Sequence, residues 1–379
     1  MSGGIDSSAV CLMLQAEGYE VVGMTMRVFD LPGQFEPASL SGCDEATLRS
    51  GRLPGEPAFI KSAKALADRL GIAHYVADVR EEFRRDVVSH FIDEYASGRT
   101  PNPCVRCNRH FKFRLMAEYA DRLSCPLMAT GHYVQTETDA EGHVYLLRGA
   151  DAAKDQSYFL WRVPQDVLRR CRFPLGGMHK TEVRRYLATQ GYEAKAGGKE
   201  SMEVCFVEGD YRDFLEQHAA ARMKAVDGGA FVDTAGRQLG CHRGVPFYTV
   251  GQRKGLGIAL GTPAYVVRLN AAKNTVVLGT KADLLASAFF VSDATFVSPR
   301  DGVGQTDLTV RIRYHSDPVA CRVEPLDDGR LLVRTPRPVS AVTPGQSAVF
   351  YVGNRLVGGA VIDSQRGIGL YTTPPNYEG

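Results

Sequence analysis

Two groups of residues in this chain have the types and spacing to do chemistry. The first is Ser2-Gly3-Gly4-Ile5-Asp6-Ser7-Ser8. Adjacent glycines let a backbone turn tightly and approach a ligand with no Cβ in the way. The residues that follow, with Val10, Cys11 and Leu14 at helical spacing, read as a helix ending near Gly18. A loop of free N–H groups feeding a helix N-terminus suits a phosphate or pyrophosphate. No Gly-Lys-Ser/Thr follows, so this is not a Walker A loop. The residues alone leave a tight turn with a helix cap as the alternative. The second group is a pair of cysteine settings. Pro101-Asn102-Pro103-Cys104-Val105-Arg106-Cys107-Asn108 is stiffened by two prolines and leads into a helix expected from near Arg109. A thiol in a helix's first turn, beside Arg106, Arg109 and His110, should ionise readily. Cys205, in Glu200-Ser201-Met202-Glu203-Val204-Cys205-Phe206, follows Ala196-Gly197-Gly198, a loop that would let it move.

The other cysteines need no chemistry. Nine of them, scattered through 379 residues, make no secreted disulfide framework. Cys11, on the first helix, reads as a small buried hydrophobe. Hydrophobic content of 44% and charged content of 23% describe a globular protein. No apolar run approaches the about 18 residues needed to span a bilayer, and no signal peptide precedes the loop, so no membrane is expected and the cytoplasm is the default compartment. A net charge of +2 leaves a nucleic-acid partner to be decided by local clusters.

The elements that must position these groups alternate over the first two hundred residues. Glu20–Phe29 and Ile72–Val79 read as strands, Phe59–Leu70 and Glu81–Ala96 as amphipathic helices, and Pro126–Tyr133 as a further buried strand. That rhythm predicts a parallel sheet covered by helices. A phosphate loop of this kind normally follows a strand, yet Met1 abuts it, so the first strand is expected to be missing through truncation or a misassigned start. Asp30–Pro57, rich in Gly, Pro and Ser, reads as a mobile loop. After about residue 210 short β-like runs take over, and from about 287 the chain is almost wholly β in character, as in a small barrel or sandwich.

Taken in order, the glycine loop, Asn102-Pro103-x-x-x-Cys107-Asn108 and Ser201-Met202-Glu203-Val204-Cys205-Phe206 resemble the tRNA-specific 2-thiouridylase (MnmA) family of pyrophosphate-loop ATPases. Ala129-Thr130-Gly131-His132-Tyr133, Lys154-Asp155-Gln156-Ser157-Tyr158, Tyr248 to Ile258, Arg311-Ile312-Arg313-Tyr314 and Thr343-Pro344-Gly345-Gln346 extend the likeness along nearly the whole chain. The resemblance implies an α/β fold in three parts: a parallel-sheet ATP-binding catalytic domain over 1–210, a small, mainly β tRNA-binding domain over 211–285, and a C-terminal β-barrel over 286–379.

The activity implied is ATP-dependent 2-thiolation of the wobble uridine (position 34) of tRNA. The C2 oxygen is adenylated, pyrophosphate leaves on the loop, and sulfur displaces AMP. The resemblance assigns ATP contacts to Ser2, Gly3, Gly4, Ile5, Asp6, Ser7, Met26 and Gly131, with Mg²⁺ as companion ion; Asp6 would cap the helix or meet that ion. It assigns a persulfide to Cys205 and the role of nucleophile to Cys107, ending in a Cys107–Cys205 disulfide. A persulfide carrier protein or cysteine desulfurase would supply the sulfur. Contacts to tRNA fall on Asn102, Pro103, Cys104, His132, Lys154, Asp155, Gln156, Arg313, Tyr314 and Gln346. Basic runs at 106–114, 169–172, 180–185, 253–254 and 311–313 could add phosphate contacts or be solvated faces.

Cys104 departs from a family pattern that carries Asp at this place. The resulting Cys104-x-x-Cys107, with Cys205, raises a rival route in which three thiolates hold a [4Fe–4S] cluster with one iron open to sulfide. Rival functions are another pyrophosphate-loop enzyme, such as an amidotransferase or lysidine-forming ligase, and a tRNA-binding module without catalysis.

Overall fold

The computed structural model describes residues 1–193, 197, 204–258 and 261–363. Helix α1 (Ile5–Ala16) starts directly from the glycine loop, with Gly4 as its N-cap. Strand β1 (Gly23–Arg27) follows. Short helical turns then lead through α2 (Glu45–Arg49) to α3 (Ala58–Leu70), which stops at Gly71 in the left-handed conformation, φ 64°. Ile60, Ala63, Leu66 and Ala67 form the buried stripe of α3, and each large apolar side chain so buried is worth roughly 2 kcal/mol. Strand β2 (His74–Asp78) pairs with β1 in parallel, Met26 opposite Ala77.

The next helix is interrupted twice in kind. It runs α4 (Arg80–Phe83), a π-turn over Arg84–Val88, and α5 (Ser89–Ala96). The helix carrying the first cysteines has the same build: α6 (Pro103–Cys107), a π-turn over Asn108–Lys112, and α7 (Phe113–Arg122). It therefore begins six residues before Arg109, the expected start. Strand β3 (Met128–Ala129) is all that is regular in the expected Pro126–Tyr133 strand. A hairpin, β4 (Val134–Thr138) with β5 (Val144–Arg148), precedes α8 (Gln165–Leu168) and β6 (Cys171–Arg172), which pairs in parallel with β3. Helices α9 (Lys180–Thr189) and α10 (Tyr211–His218) complete this part. The parallel ladders β1–β2 and β3–β6 are separate. One core joins α1 to α3 and α9 through Ile5, Ala9, Val10, Leu66, Val183 and Leu187. Cys11 is buried, as expected.

Asp30–Pro57, expected as a mobile loop, carries three helical turns. It is pinned by a fully buried Asp30 carboxylate, which accepts hydrogen bonds from Arg27, Arg80 and the Leu53 N–H. Composition could not reveal an anchor made by residues 50 positions apart.

The chain divides into two compact units, one of 1–90 with 103–218 and another of 91–102 with 219–379. The second unit holds α11 (Ala220–Lys224), β7 (Gly229–Val232), β8 (Gln238–His242), β9 (Tyr265–Asn270) and β10 (Thr275–Gly279). These strands form a sheet in the order β8-β7-β10-β9. Its remaining strands are β11 (Leu285–Phe296), β12 (Leu308–Arg311), β13 (Val319–Ala320), β14 (Arg322–Pro325), β15 (Leu331–Ser340), β16 (Ser347–Val352) and β17 (Arg355–Ile362). They run antiparallel in the order β13-β12-β16-β17-β11-β15-β14. Bulges in β11, where it passes from β15 to β17, bend the sheet, and β13 comes back within reach of β15. One face carries Phe289, Val291, Val333, Phe350 and Ile362, all buried. Among the described residues no helix is long and apolar enough to cross a membrane.

Candidate functional site

The glycine loop is shaped by contacts that only glycine permits. Gly3 has φ +67°, and a Cβ there would fall 2.8 Å from Ser62 Cβ and 2.9 Å from the Ala63 nitrogen on α3. Ser62 Oγ donates to the Gly3 carbonyl at 3.3 Å. Ser8 Oγ donates back to the Gly4 carbonyl, and the Ser2 N–H to Ser7 Oγ. The first N–H groups of α1 have no helical carbonyl within reach, so the loop ends on donors at the positive end of a 12-residue helix.

Asp6 does not cap α1. Its carboxylate accepts both Lys180 Nζ, at 2.7 and 2.8 Å, and Tyr133 OH, at 2.8 Å. Gly131 lies against it, since a Cβ on Gly131 would stand 2.9 Å from Asp6 Cβ. Lys180, read from sequence as part of a basic face over 180–185, is buried. Arg311, in another basic run, is buried too, its guanidinium on the Ser316 and Tyr314 carbonyls.

The three cysteines of interest lie near one another, though their sulfurs are not all within 4.8 Å. Cys104 and Cys107 lie three residues apart on α6, hence on one face. Cys205 lies near enough to both for ionisation of one thiol to oppose ionisation of the others. Cys104 and Cys205 are exposed residues and Cys107 is half-buried, yet protein surrounds all three thiols; they line a recess. That enclosure pushes the Cys107 thiol up to about 12 and raises Cys104 and Cys205 as well. The expectation of a readily ionised Cys107 is therefore corrected. Cys107 closes α6, rather than opening a helix, and desolvation outweighs the cations nearby.

Sequence reasoning missed the group that opposes this desolvation. The π-turn bonds residue i to i+5 and so brings Lys112 into line with Cys107, where a regular helix would turn it away. The Lys112 charge and its backbone N–H both favour the Cys107 thiolate, and the same charge acts on Cys104 and Cys205. Lys112 Nζ lies 3.3 Å from His132 Nε2, and His132 Nδ1 lies 2.8 Å from Thr130 Oγ1. Burial, then the Lys112 charge, hold the His132 ring neutral by lowering its pKa well below the usual histidine range. A neutral ring accepts from the ammonium at Nε2 and donates from Nδ1 to the threonine. The one sequence signal was a lysine between two buried rings, Phe111 and Phe113.

Cys205 is held by its neighbour. Phe206 is buried against Phe29, Phe83 and Phe214, at ring-centroid distances of 6.1, 5.6 and 5.3 Å. Most of the preceding segment, including Ala196, Gly198 and Glu200–Glu203, lies outside the described residues.

Other expected contacts take structural partners. Asp155 is buried and accepts the Gly149 and Ser157 N–H groups. Gln156 Oε1 accepts the Tyr133 N–H, and Lys154 is half-buried. His132 is buried. In the second unit, Gln346 Nε2 donates to the carbonyls of Thr100 and Pro101, at 3.1 and 3.0 Å, which fixes the approach to Asn102. Arg313 is exposed there, Tyr314 half-buried. Arg253 and Lys254 are exposed on a loop with Gly251, Gly255 and Gly257 at positive φ. Among the described residues, Asp139, Glu141 and His143 form the one trio of possible metal ligands whose atoms meet within 4.8 Å.

Three family models match the chain: a tRNA methyl transferase HUP domain over residues 1–209, a tRNA methyl transferase PRC-barrel domain over 212–280, and an aminomethyltransferase beta-barrel domain over 286–362. A protein of Phocaeicola vulgatus named tRNA-specific 2-thiouridylase MnmA 3 is 54% identical, covering 97% of this chain and 94% of its own. One of that name from Bacteroides fragilis is 53% identical over 98% of this chain and 94% of its own. The tRNA-specific 2-thiouridylase MnmA of Geobacter metallireducens is 43% identical over 96% and 95%. Identity at this level, sustained from the glycine loop through the barrel strands, means that the chain belongs to the tRNA-specific 2-thiouridylase (MnmA) family.

Proposed function

We propose that this chain replaces the C2 oxygen of the wobble uridine of tRNA with sulfur, at the expense of ATP. The observation that carries the reading is the nearness of Cys107 to Cys205, within the same unit as a glycine loop that opens onto a helix N-terminus. A carbonyl oxygen is a poor leaving group. Its attack on the α-phosphorus of ATP makes an adenylate and releases pyrophosphate, which Gly3, Gly4 and the first N–H groups of α1 receive, with Ser2, Ile5, Asp6, Ser7, Met26 and Gly131 completing the nucleotide site and Mg²⁺ accompanying the phosphates.

Sulfur comes as a persulfide on Cys205, delivered by a carrier protein or cysteine desulfurase. The Cys107 thiolate attacks Cys205 Sγ; the new Sγ–Sγ bond forms as the Cys205 S–S bond breaks, and hydrosulfide leaves. Hydrosulfide adds at C2 and AMP departs. An external thiol reductant reopens the disulfide. Lys112 carries the positive charge that this exchange of anions requires, and Phe206 anchors the moving partner. Asn102, Pro103 and Cys104 border the target base. Lys154, Asp155, Gln156, His132, Arg313, Tyr314 and Gln346 bind or position the RNA, with Arg253 and Lys254 available to its phosphates.

Cys104 favours a second reading. Three thiols in one recess beside a lysine fit the donor set and charge of a [4Fe–4S] cluster, which would be held by Cys104, Cys107 and Cys205 and would bind sulfide at its open iron. In either route the protein works in the cytoplasm, and its catalytic, central and barrel domains divide near residues 210 and 285.

The test is the nucleoside profile of tRNA from a deletion strain. Complementation by this chain restores 2-thiouridine; complementation by Cys107→Ser or Cys205→Ser does not. Normal 2-thiouridine with either variant would sink the thiol mechanism, and its absence with the wild-type chain would sink the function.

A further inference from the structure

Asp6 poses an electrostatic problem. It is the second residue of α1, directly behind the loop that offers its N–H groups to an anion. A carboxylate there is favoured by the helix dipole but repels any polyphosphate arriving at the same donors. The structure answers with Lys180. Its ammonium spans both Asp6 oxygens, at 2.7 and 2.8 Å, and the lysine is only 7% exposed. Tyr133 OH holds Oδ1 from another direction, and Gly131 closes the gap beside it.

Local helix preferences do not explain why a lysine stands there. Lys180 is the first residue of α9, where the dipole disfavours a cation. Two contacts anchor its backbone. The Lys180 N–H donates to Asp151 Oδ2 at 3.0 Å, and Glu182 accepts the His179 N–H in a capping box. A residue that breaks a local rule while making a buried ion pair at a ligand loop points to the ligand.

We infer that Lys180 is a positioning residue of the nucleotide site, which neutralises Asp6 so that the glycine loop accepts a polyphosphate. The inference rests on the proposed reading of that loop as the pyrophosphate site. Removing the lysine alone leaves an unpaired carboxylate facing the phosphates. Removing both charges leaves no repulsion, so the double variant binds better than the single one. A role limited to packing gives the reverse order, because a second lesion adds to the first.

The test is calorimetric titration of the intact chain with ATP in magnesium buffer. Lys180→Met weakens binding at least 30-fold, and Lys180→Met with Asp6→Asn returns to within about fivefold of wild type. Lys180→Arg, which keeps a cation on Asp6, binds within about fivefold of wild type, an arm that stands if Lys180→Met fails to fold. Unchanged binding by Lys180→Met, a double variant no better than Lys180→Met, or a thirtyfold loss with a folded Lys180→Arg would each overturn the inference. A wild type that binds ATP and shows this pattern but forms no 2-thiouridine would defeat the proposed reaction and leave the role of Lys180 standing.

Discussion

Lys112 Nζ and His132 Nε2 stand 3.3 Å apart beside the recess lined by Cys104, Cys107 and Cys205. Burial pulls the lysine's pKa down, and the thiolates it faces hold it up. Because the His132 ring is kept neutral, the ammonium is the cation that the thiols meet.

Replacing that cation with an apolar chain of similar length should strand the thiols in a low-dielectric pocket. Lys112→Met is expected to slow alkylation of Cys107 by iodoacetamide at neutral pH by ten- to a hundredfold. Lys112→Arg should recover most of the rate. Peptide mass spectrometry after timed quenching measures both, and equal rates in wild type and Lys112→Met would exclude the electrostatic role.

The two sulfur routes part at Cys104. If hydrosulfide comes from a Cys205 persulfide, Cys104→Ser keeps a substantial fraction of 2-thiouridine synthesis and the anaerobically purified protein is active without iron. If a cluster is used, the same variant loses iron, its visible absorption and activity together.

Phe206 packs where Cys205 must be held. Phe206→Ala should cost about 3–5 kcal/mol of stability, read as a shift in the denaturation midpoint. In the folded fraction, diamide-driven formation of the Cys107–Cys205 disulfide should slow more than ATP binding weakens. Unchanged disulfide kinetics would show that the ring does not position the thiol.

His218 gives a pH dependence with a definite sign. Burial, then the charges of Arg84 and Arg49, lower its pKa from 6.5 to about 4, and its ring stacks on Phe214 at 4.1 Å. Between those values the unfolded chain binds a proton that the folded chain refuses, so stability falls as pH drops through this window and is fully present above it. His218→Phe should flatten that part of the curve of melting temperature against pH from 7 to 4 (roughly one proton's worth of slope). An unaltered slope would place the acid sensitivity elsewhere.

Gln346 ties the barrel end of the second unit to Thr100 and Pro101. Gln346→Ala should raise KM for tRNA severalfold while ATP affinity stays within twofold, because the strap that orients Asn102 slackens. A loss of ATP binding of similar size would contradict this placement.

Much of the site was legible in the sequence because it depends on residue identity at short spacing. Ser2 to Ser8 announced a loop that only glycines can form, and Cys104-x-x-Cys107 with Cys205 a trio of thiols able to share one site, though the helix under Cys104 and Cys107 was expected only from Arg109. What stayed hidden depends on long-range partners or on helix geometry. Lys112 reads as pointing away from Cys107 until the turn between them is known to be wide. Lys180 reads as one of several surface cations until Asp6, 174 positions earlier, is found in its grip. The ionisation of Cys107 was misjudged for the same reason. Nearby arginines are visible in sequence, whereas enclosure by Cys205 and its surroundings is not. In the fold, the alternation of strands and helices was readable, but Asp30–Pro57 took its regularity from an ion cluster that composition does not encode.

The wide turn over Asn108–Lys112 also takes up one residue more than a regular helix would hold between Cys107 and Lys112. Removing one residue from Asn108–Phe111 would close the stretch into an uninterrupted α-helix, with the ammonium four places from Cys107 and still on its face. At unchanged length, by contrast, a regular helix would rotate Lys112 and all that follows by about 100° about the axis. The extra width is thus what lets this length of chain keep the cation beside its sulfurs while Phe113 and Leu115 stay buried.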